Sequence, residues 1–160
     1  MNTIYLLLGS NMGNSKQQLL TAIDNIQSEI GAIIHKSSLY STQAWGNTNQ
    51  PDFLNQVVVV TTNFMALETL NIILKIETKM GRIRTIKNAP RVIDIDILFF
   101  NSDVISLDNL SVPHPEIENR RFVLIPLNEL APDLKHPVSK NSMHTLLLNC
   151  IDTLEVKKLY

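Results

Sequence analysis

Asp94 and Asp96 stand two residues apart in the apolar run Val92-Ile93-Asp94-Ile95-Asp96-Ile97-Leu98. Residues i and i+2 of a strand share a face, so both carboxylates project together while Ile93, Ile95 and Ile97 turn the other way into a core. Two carboxylates side by side repel, and such a pair must take up a proton or find a cation. Two hard oxygen ligands near a source of phosphate-binding charge suit magnesium bridging to phosphates. Two such ions can hold both the attacking and the departing oxygen of an in-line displacement. The plainer alternative is a solvated strand face with two surface aspartates.

The residues just upstream favour the metal. Six of the 14 basic residues (Lys75, Lys79, Arg82, Arg84, Lys87, Arg91) fall between positions 75 and 91, against one acid, Glu77. All five arginines lie at 82–91 or at the pair Arg120 and Arg121. Guanidinium groups make forked contacts with phosphate oxygens, so the two clusters point to a polyanionic ligand. The chain total of −1 favours neither nucleic acid nor an anionic membrane.

The elements that must position these groups can be read from spacing and punctuation. Ile4–Leu8 is a short buried strand ending at Gly9-Ser10-Asn11. Asn14 or Ser15 caps a helix carrying Leu19, Leu20, Ile23, Ile26 and Ile30, and Gly31 stops it. Ile33 to Thr42 reads as one strand, Gln43–Asp52 as a loop, and Phe53–Thr62, with four consecutive valines, as the clearest strand. Ala66–Met80 is a helix closed by Gly81. A basic loop, Arg82–Arg91, leads into the strand Val92–Phe100. The order β-α-β-β-α-β predicts a single-domain ferredoxin-like α+β sandwich over residues 1–160, with an antiparallel sheet. A small strand at Val104-Ile105 and short helices near Arg121–Leu130 and Ser142–Leu148 follow in the proline-punctuated remainder. The opening residues have no basic segment and too short an apolar run for a signal peptide or membrane span. The single cysteine, Cys150, fits a reducing compartment. A cytoplasmic, monomeric protein is expected, with no nucleic-acid or membrane partner.

Lys87-Asn88-Ala89-Pro90-Arg91-Val92-Ile93-Asp94-Ile95-Asp96-Ile97-Leu98 closely resembles the diagnostic motif of the 6-hydroxymethyl-7,8-dihydropterin pyrophosphokinases. Gly9-Ser10-Asn11, Gln50-Pro51-Asp52-Phe53-Leu54-Asn55, Glu77 with Gly81-Arg82, and Val112-Pro113-His114-Pro115 resemble further landmarks in the family's order. Asn119-Arg120-Arg121-Phe122 and Leu130-Ala131-Pro132 extend the likeness over essentially the whole chain. The family fold agrees with the order of elements read above.

The resemblance implies transfer of the terminal pyrophosphate of ATP to the hydroxymethyl group of the reduced pterin, releasing AMP, in folate synthesis. It implies two magnesium ions on Asp94 and Asp96, and phosphate charge neutralised by Arg82 and Arg91. For ATP it implies Glu77, Arg84, Arg91, Ile97 (through its backbone), Ser111, His114 and Arg120. For the pterin it implies stacking on Phe53 and Phe122, with Asn55 and backbone groups of Thr42, Ala44 and Trp45 reading the edge. Gly46–Asp52 and Arg82–Pro90 are expected to close over the substrates and exclude water. Departures fall on the nucleotide side, where Leu74, Asn109 and Pro115 replace a glutamine, an arginine and a tyrosine of some relatives. The basic loop lacks a tryptophan.

Other readings fit less well. Gly9 to Lys16 fails the spacing of a Walker phosphate loop. RNA-recognition modules share the βαββαβ order but need a basic, aromatic strand, which Phe53-Leu54-Asn55-Gln56-Val57-Val58 is not. A regulatory ligand-binding domain of this fold would not need Asp-x-Asp beside a cluster of cations.

Overall fold

The computed structural model describes residues 1–44, 49–83 and 89–159. Strand β1 (Asn2–Ser10) lies near the middle of the sheet, between β4 (Phe53–Thr62) and β5 (Asp94–Phe100). Strand β4 pairs beyond it with both β2 (Ala32–Lys36) and β3 (Tyr40–Thr42), and β8 (Val156–Lys158) adds to β3. The sheet path β5-β1-β4-β3-β8 is antiparallel at every pairing. This is the expected ferredoxin-like sandwich with an added edge strand.

One face packs on helices α1 (Ser15–Glu29) and α2 (Ala66–Lys79). Ile4, Leu6 and Leu8 of β1, Val58 and Val60 of β4, and Ile93, Ile95 and Ile97 meet Leu19, Ile26, Ile73 and Ile76 there, all nearly or fully buried. The alternation expected around Asp94 and Asp96 therefore holds: the isoleucines enter the core and the aspartates face away. The Asn14 side chain caps α1 by accepting from the Gln17 N–H at 3.2 Å. Gly31 is required where α1 turns into β2, because a Cβ there would lie 1.9 Å from the Thr61 carbonyl oxygen.

The other face is covered only in part. Helices α3 (Arg121–Leu130) and α4 (Met143–Asn149) pack Val123, Leu124, Leu127 and Met143 over Leu7, Val57, Leu98 and Phe99. They leave uncovered the end of the sheet bearing Gly9, Phe53, Asn55, Asp94 and Asp96.

Three features differ from the sequence expectation. The expected strand Ile33–Thr42 is two strands, broken at 37–39, where the Ser37 hydroxyl accepts from the Val57 N–H at 3.0 Å and replaces a backbone partner. Strand β5 starts at Asp94 and carries a bulge: Tyr5 pairs with Phe99 but Leu6 with Ile97, leaving Leu98 as an extra residue. The Leu98 carbonyl, turned out of the ladder, accepts from the His114 N–H at 3.0 Å. The small strand expected at Val104-Ile105 is instead a hairpin of β6 (Ile105–Leu107) and β7 (Leu110–Val112). No helix among the described residues is long and apolar enough to cross a membrane.

Candidate active site

The uncovered end of the sheet forms the floor of a cavity of about 140 Å³. In register across three adjacent strands, Asn55 lies opposite Gly9 and Gly9 opposite Asp94. Asp96, opposite Leu7, stands beside them. Phe53 lies on the floor, with Phe122, Arg120 and Arg91 also lining the cavity. Gly9 is bare for a reason: a Cβ there would sit 3.0 Å from Asn55 Oδ1 and 3.6 Å from the Phe53 ring. The Asn55 amide is oriented by Thr42, whose hydroxyl accepts from Asn55 Nδ2 at 2.9 Å, so Oδ1 faces the Gly9 side. The Arg120 guanidinium lies 5.8 Å from the Phe122 ring centroid. A flat ring system with polar edges suits two aromatic walls and one fixed amide.

Asp94 is held by two arginines. Arg82 Nη1 donates to its Oδ1 at 2.7 Å and Arg91 Nη1 to its Oδ2 at 3.1 Å. The same Arg82 nitrogen donates to Glu77 Oε2 at 2.6 Å, and that oxygen also accepts from the Ile95 N–H at 2.8 Å. Helix α2 creates this geometry at its end. Gly81, at φ +96°, reverses the chain so that the Arg82 N–H returns to the Glu77 carbonyl at 3.0 Å. Glu77 is 2% exposed, and it lines neither of the two cavities described here. There it holds Arg82 and the β5 backbone. The attraction of Asp94 and Glu77 outweighs the desolvation of the Arg82 guanidinium and keeps it charged.

Asp96 differs from Asp94. Burial, then the charges of Asp94 and Glu77, push its carboxyl pKa up to about 8, against the opposing pull of Arg82 and Arg120. A carboxylate in that setting gains most from a nearby cation. Among the described residues no three His, Cys, Asp or Glu side chains converge as a protein-only metal cage. The donor set fits magnesium all the same, because that ion keeps water and phosphate oxygens among its ligands and needs only one or two carboxylates. Each Asp94 oxygen also has a second lone pair beyond the one its arginine uses.

The raised Asp96 pKa has a sign that can be tested. The unfolded chain loses this proton near 3.8 and the folded chain near 8. Metal-free protein is therefore expected to lose stability from this group as pH rises across that window. Thermal midpoints of wild type minus those of Asp96→Asn should fall with pH between 4 and 8, and saturating magnesium should reverse the trend. A flat difference would contradict the assignment.

A second cavity, of about 310 Å³, shares Asp96 with the first and is lined by Ile97, Ser111, His114, Asn109 and Pro115. His114 Nδ1 accepts from the Glu116 N–H at 3.1 Å, which leaves the proton on Nε2. Burial, then the Arg120 charge, lowers its pKa, so it is a neutral donor. Of the expected nucleotide residues, Ile97, Ser111 and His114 come together here, while Arg91 and Arg120 line the first cavity. Of the expected pterin residues, Thr42, Phe53, Asn55 and Phe122 line the first cavity and Ala44 is fully buried. Trp45 and Arg84 lie outside the described residues, as do 46–48 and 85–88 of the two loops expected to close.

Asn11 is the residue that the sequence alone did not single out for a role. Its Nδ2 donates to Gln50 Oε1 at 2.9 Å and to the Pro51 carbonyl at 3.0 Å, tying down the start of β4's approach. Its Oδ1 accepts from the Arg91 N–H at 2.8 Å, and its own N–H donates to the Arg91 carbonyl at 3.1 Å. One buried amide thus fixes both segments that border the cavity. Asn11→Ala removes three side-chain hydrogen bonds, worth ~1 kcal/mol each. We expect it to lower the thermal midpoint by several degrees and kcat/KM about tenfold or more. Unchanged kinetics would show that the tie is dispensable. The cue was present as Gly9-Ser10-Asn11, but its partners lie 39 to 80 residues away.

The sequence model of the family described as 7,8-dihydro-6-hydroxymethylpterin-pyrophosphokinase (HPPK) matches residues 5–132. The 2-amino-4-hydroxy-6-hydroxymethyldihydropteridine pyrophosphokinase of Aquifex aeolicus is 41% identical over 143 residues, covering 89% of each chain. The protein of the same name from Pseudomonas aeruginosa is 36% identical over 148 residues, covering 92% of this chain and 91% of its own. Among solved structures, a Plasmodium falciparum HPPK-DHPS triple mutant with STZ-DHP matches with TM-score 0.75 at 22% identity. That match covers 92% of this chain and 43% of the Plasmodium chain, so this chain spans less than half of it.

Proposed function

Because this chain belongs to the 7,8-dihydro-6-hydroxymethylpterin-pyrophosphokinase family, we propose how its two cavities divide the family's reaction. The enzyme transfers pyrophosphate from ATP to the hydroxymethyl group of 6-hydroxymethyl-7,8-dihydropterin, releasing AMP, in folate synthesis. The cavity floored by Phe53 and Asn55 takes the pterin, and the cavity bearing Ser111 and His114 takes ATP. The observation that carries this assignment is that Asp96 lines both cavities.

The pterin plane lies between Phe53 and Phe122, with Asn55 Oδ1 accepting from a ring-edge N–H. Its hydroxymethyl arm crosses the bare Gly9 toward the aspartates. His114 gives its Nε2 proton as a hydrogen bond to a phosphate oxygen. Two magnesium ions held by Asp94 and Asp96 would supply charge to the moving phosphates and to the pterin hydroxyl. Arg82, braced by Glu77, and Arg91, braced by Asn11, add fixed positive charge at the same place. Phosphoryl transfer is mostly positioning and charge stabilisation, and prepositioned guanidinium groups cost no reorganisation when charge shifts. In this reading one chain carries both substrate sites, since it lines both cavities.

An assay with ATP, magnesium and the hydroxymethyl-dihydropterin, identifying the nucleotide product, tests the reading. AMP formed in step with pterin consumption is the expected result. ADP would indicate transfer of a single phosphoryl group, and turnover independent of the pterin would refute the acceptor.

A further inference from the structure

Helix α3 carries one wall of the acceptor cavity near its start, at Phe122, and ends beside the strand that braces the floor. Seven residues after Phe122, two turns and ~10 Å along the same helix face, lies Glu129. Although exposed, its carboxylate collects three donors from one short segment of the sheet. The Ser38 N–H reaches both oxygens at 3.1 Å, the Ser38 hydroxyl donates at 2.9 Å, and the hydroxyl of buried Tyr40 completes the set. Burial works to raise the Glu129 pKa, but the hydrogen bonds from Tyr40 and Ser38 outweigh it and hold the carboxylate charged. Burial, then Glu129 itself, raises the Tyr40 pKa, so that hydroxyl stays protonated as the donor.

The landing point of this strut matters. Tyr40 lies directly opposite Asn55 on β4, and Thr42, two residues on, lies opposite Phe53. Thr42 is also the group that orients the Asn55 amide. At its start α3 is tied to Asp152, whose Oδ2 accepts from the Arg121 N–H at 3.0 Å. Pro126, between Phe122 and Glu129, contributes no N–H to the helical ladder, and Glu129 is the tie that joins the far end of α3 to the strand bracing the cavity floor.

We propose that Glu129 is a positioning residue for the acceptor: by clamping α3 to the Ser38–Tyr40 segment it sets the gap between Phe122 and the Phe53–Asn55 floor. The proposal rests on the assignment of this cavity to the pterin. It concerns acceptor binding and not the nucleotide cavity, whose His114 is held from the Leu98 bulge instead.

Steady-state kinetics of Glu129→Gln, Glu129→Ala, Tyr40→Phe and the Tyr40→Phe/Glu129→Gln pair, measured well below each thermal midpoint, test it. For Glu129→Ala the KM for the dihydropterin should rise about tenfold, equivalent to ~1.4 kcal/mol of binding, with KM for ATP and kcat within about twofold. Glu129→Gln should show a smaller rise, and the pair should fall short of the sum of its single members, because the Tyr40–Glu129 contact is common to both. Lowered thermal midpoints with an unchanged pterin KM would overturn the proposal, as would equal rises in both KM values or additive effects in the pair. A wild-type protein that neither binds nor turns over the dihydropterin would sink the cavity assignment and this proposal with it. Wild-type turnover with unaltered variants would sink this proposal alone.

Discussion

Asp96→Ala is expected to abolish pyrophosphate transfer, lowering kcat/KM by at least about a thousandfold, ~4 kcal/mol of transition-state stabilisation. The fold should be untouched. The side chain lines the cavity, away from the Ile93, Ile95 and Ile97 core. Removing a carboxylate whose pKa is pushed up by burial and by two neighbouring acids relieves the metal-free protein, so its thermal midpoint should hold or rise at neutral pH. Near-wild-type turnover in this variant, measured beside its thermal melt, would remove Asp96 from the machinery. A variant that fails to fold would show instead that the carboxylate is structural.

Arg82→Ala should have the second-largest effect, and on two observables. Loss of the fixed cation that orients Asp94, and that the proposed reaction sets beside the moving phosphates, is expected to lower kcat by about 10²–10³. Stability should fall as well, by about 3 kcal/mol, because Glu77 is left charged and buried without its guanidinium partner. The Arg82 and Glu77 side chains are 10% and 3% exposed, so solvent cannot take the partner's place. The two effects can be separated. Arg82→Ala combined with Glu77→Gln should recover much of the stability while remaining inactive. Recovery of turnover along with stability would mean that Arg82 acts only by holding the fold together.

What the sequence could and could not say divides along the range of the contacts. The i, i+2 rule put Asp94 and Asp96 on one face and three isoleucines on the other, and the structure agrees residue by residue. The helix bounded by Asn14 and Gly31 and the valine strand were equally readable, since caps, periodicity and β-branching act locally. The bulge at Leu98 was not, because an extra residue shows only against its partner strand. The break at Ser37 was hidden for a related reason: Ser37 substitutes a hydroxyl for a ladder partner 20 residues away. Strand β8 offers just three residues, and only pairing with β3 makes Val156–Lys158 a strand.

The site shows the same division. Phe53, Asn55, Phe122 and the two aspartates, all named from the sequence, line one cavity. The bracing of Arg82 by Glu77 was not legible, because it depends on how α2 ends, with Gly81 turning Arg82 back over Glu77. Asn11 and Glu129 act through partners far along the chain, so their residue types alone said little.

In the proposed reaction the Asp94–Asp96 pair holds two metal ions between the substrates. Manganese binding, counted by electron paramagnetic resonance with a non-hydrolysable ATP analogue and the dihydropterin present, tests it directly. Wild type should bind two ions per chain, and Asp96→Asn one or none at the same free metal concentration. Two ions retained with unchanged affinity in Asp96→Asn would remove Asp96 from the metal site.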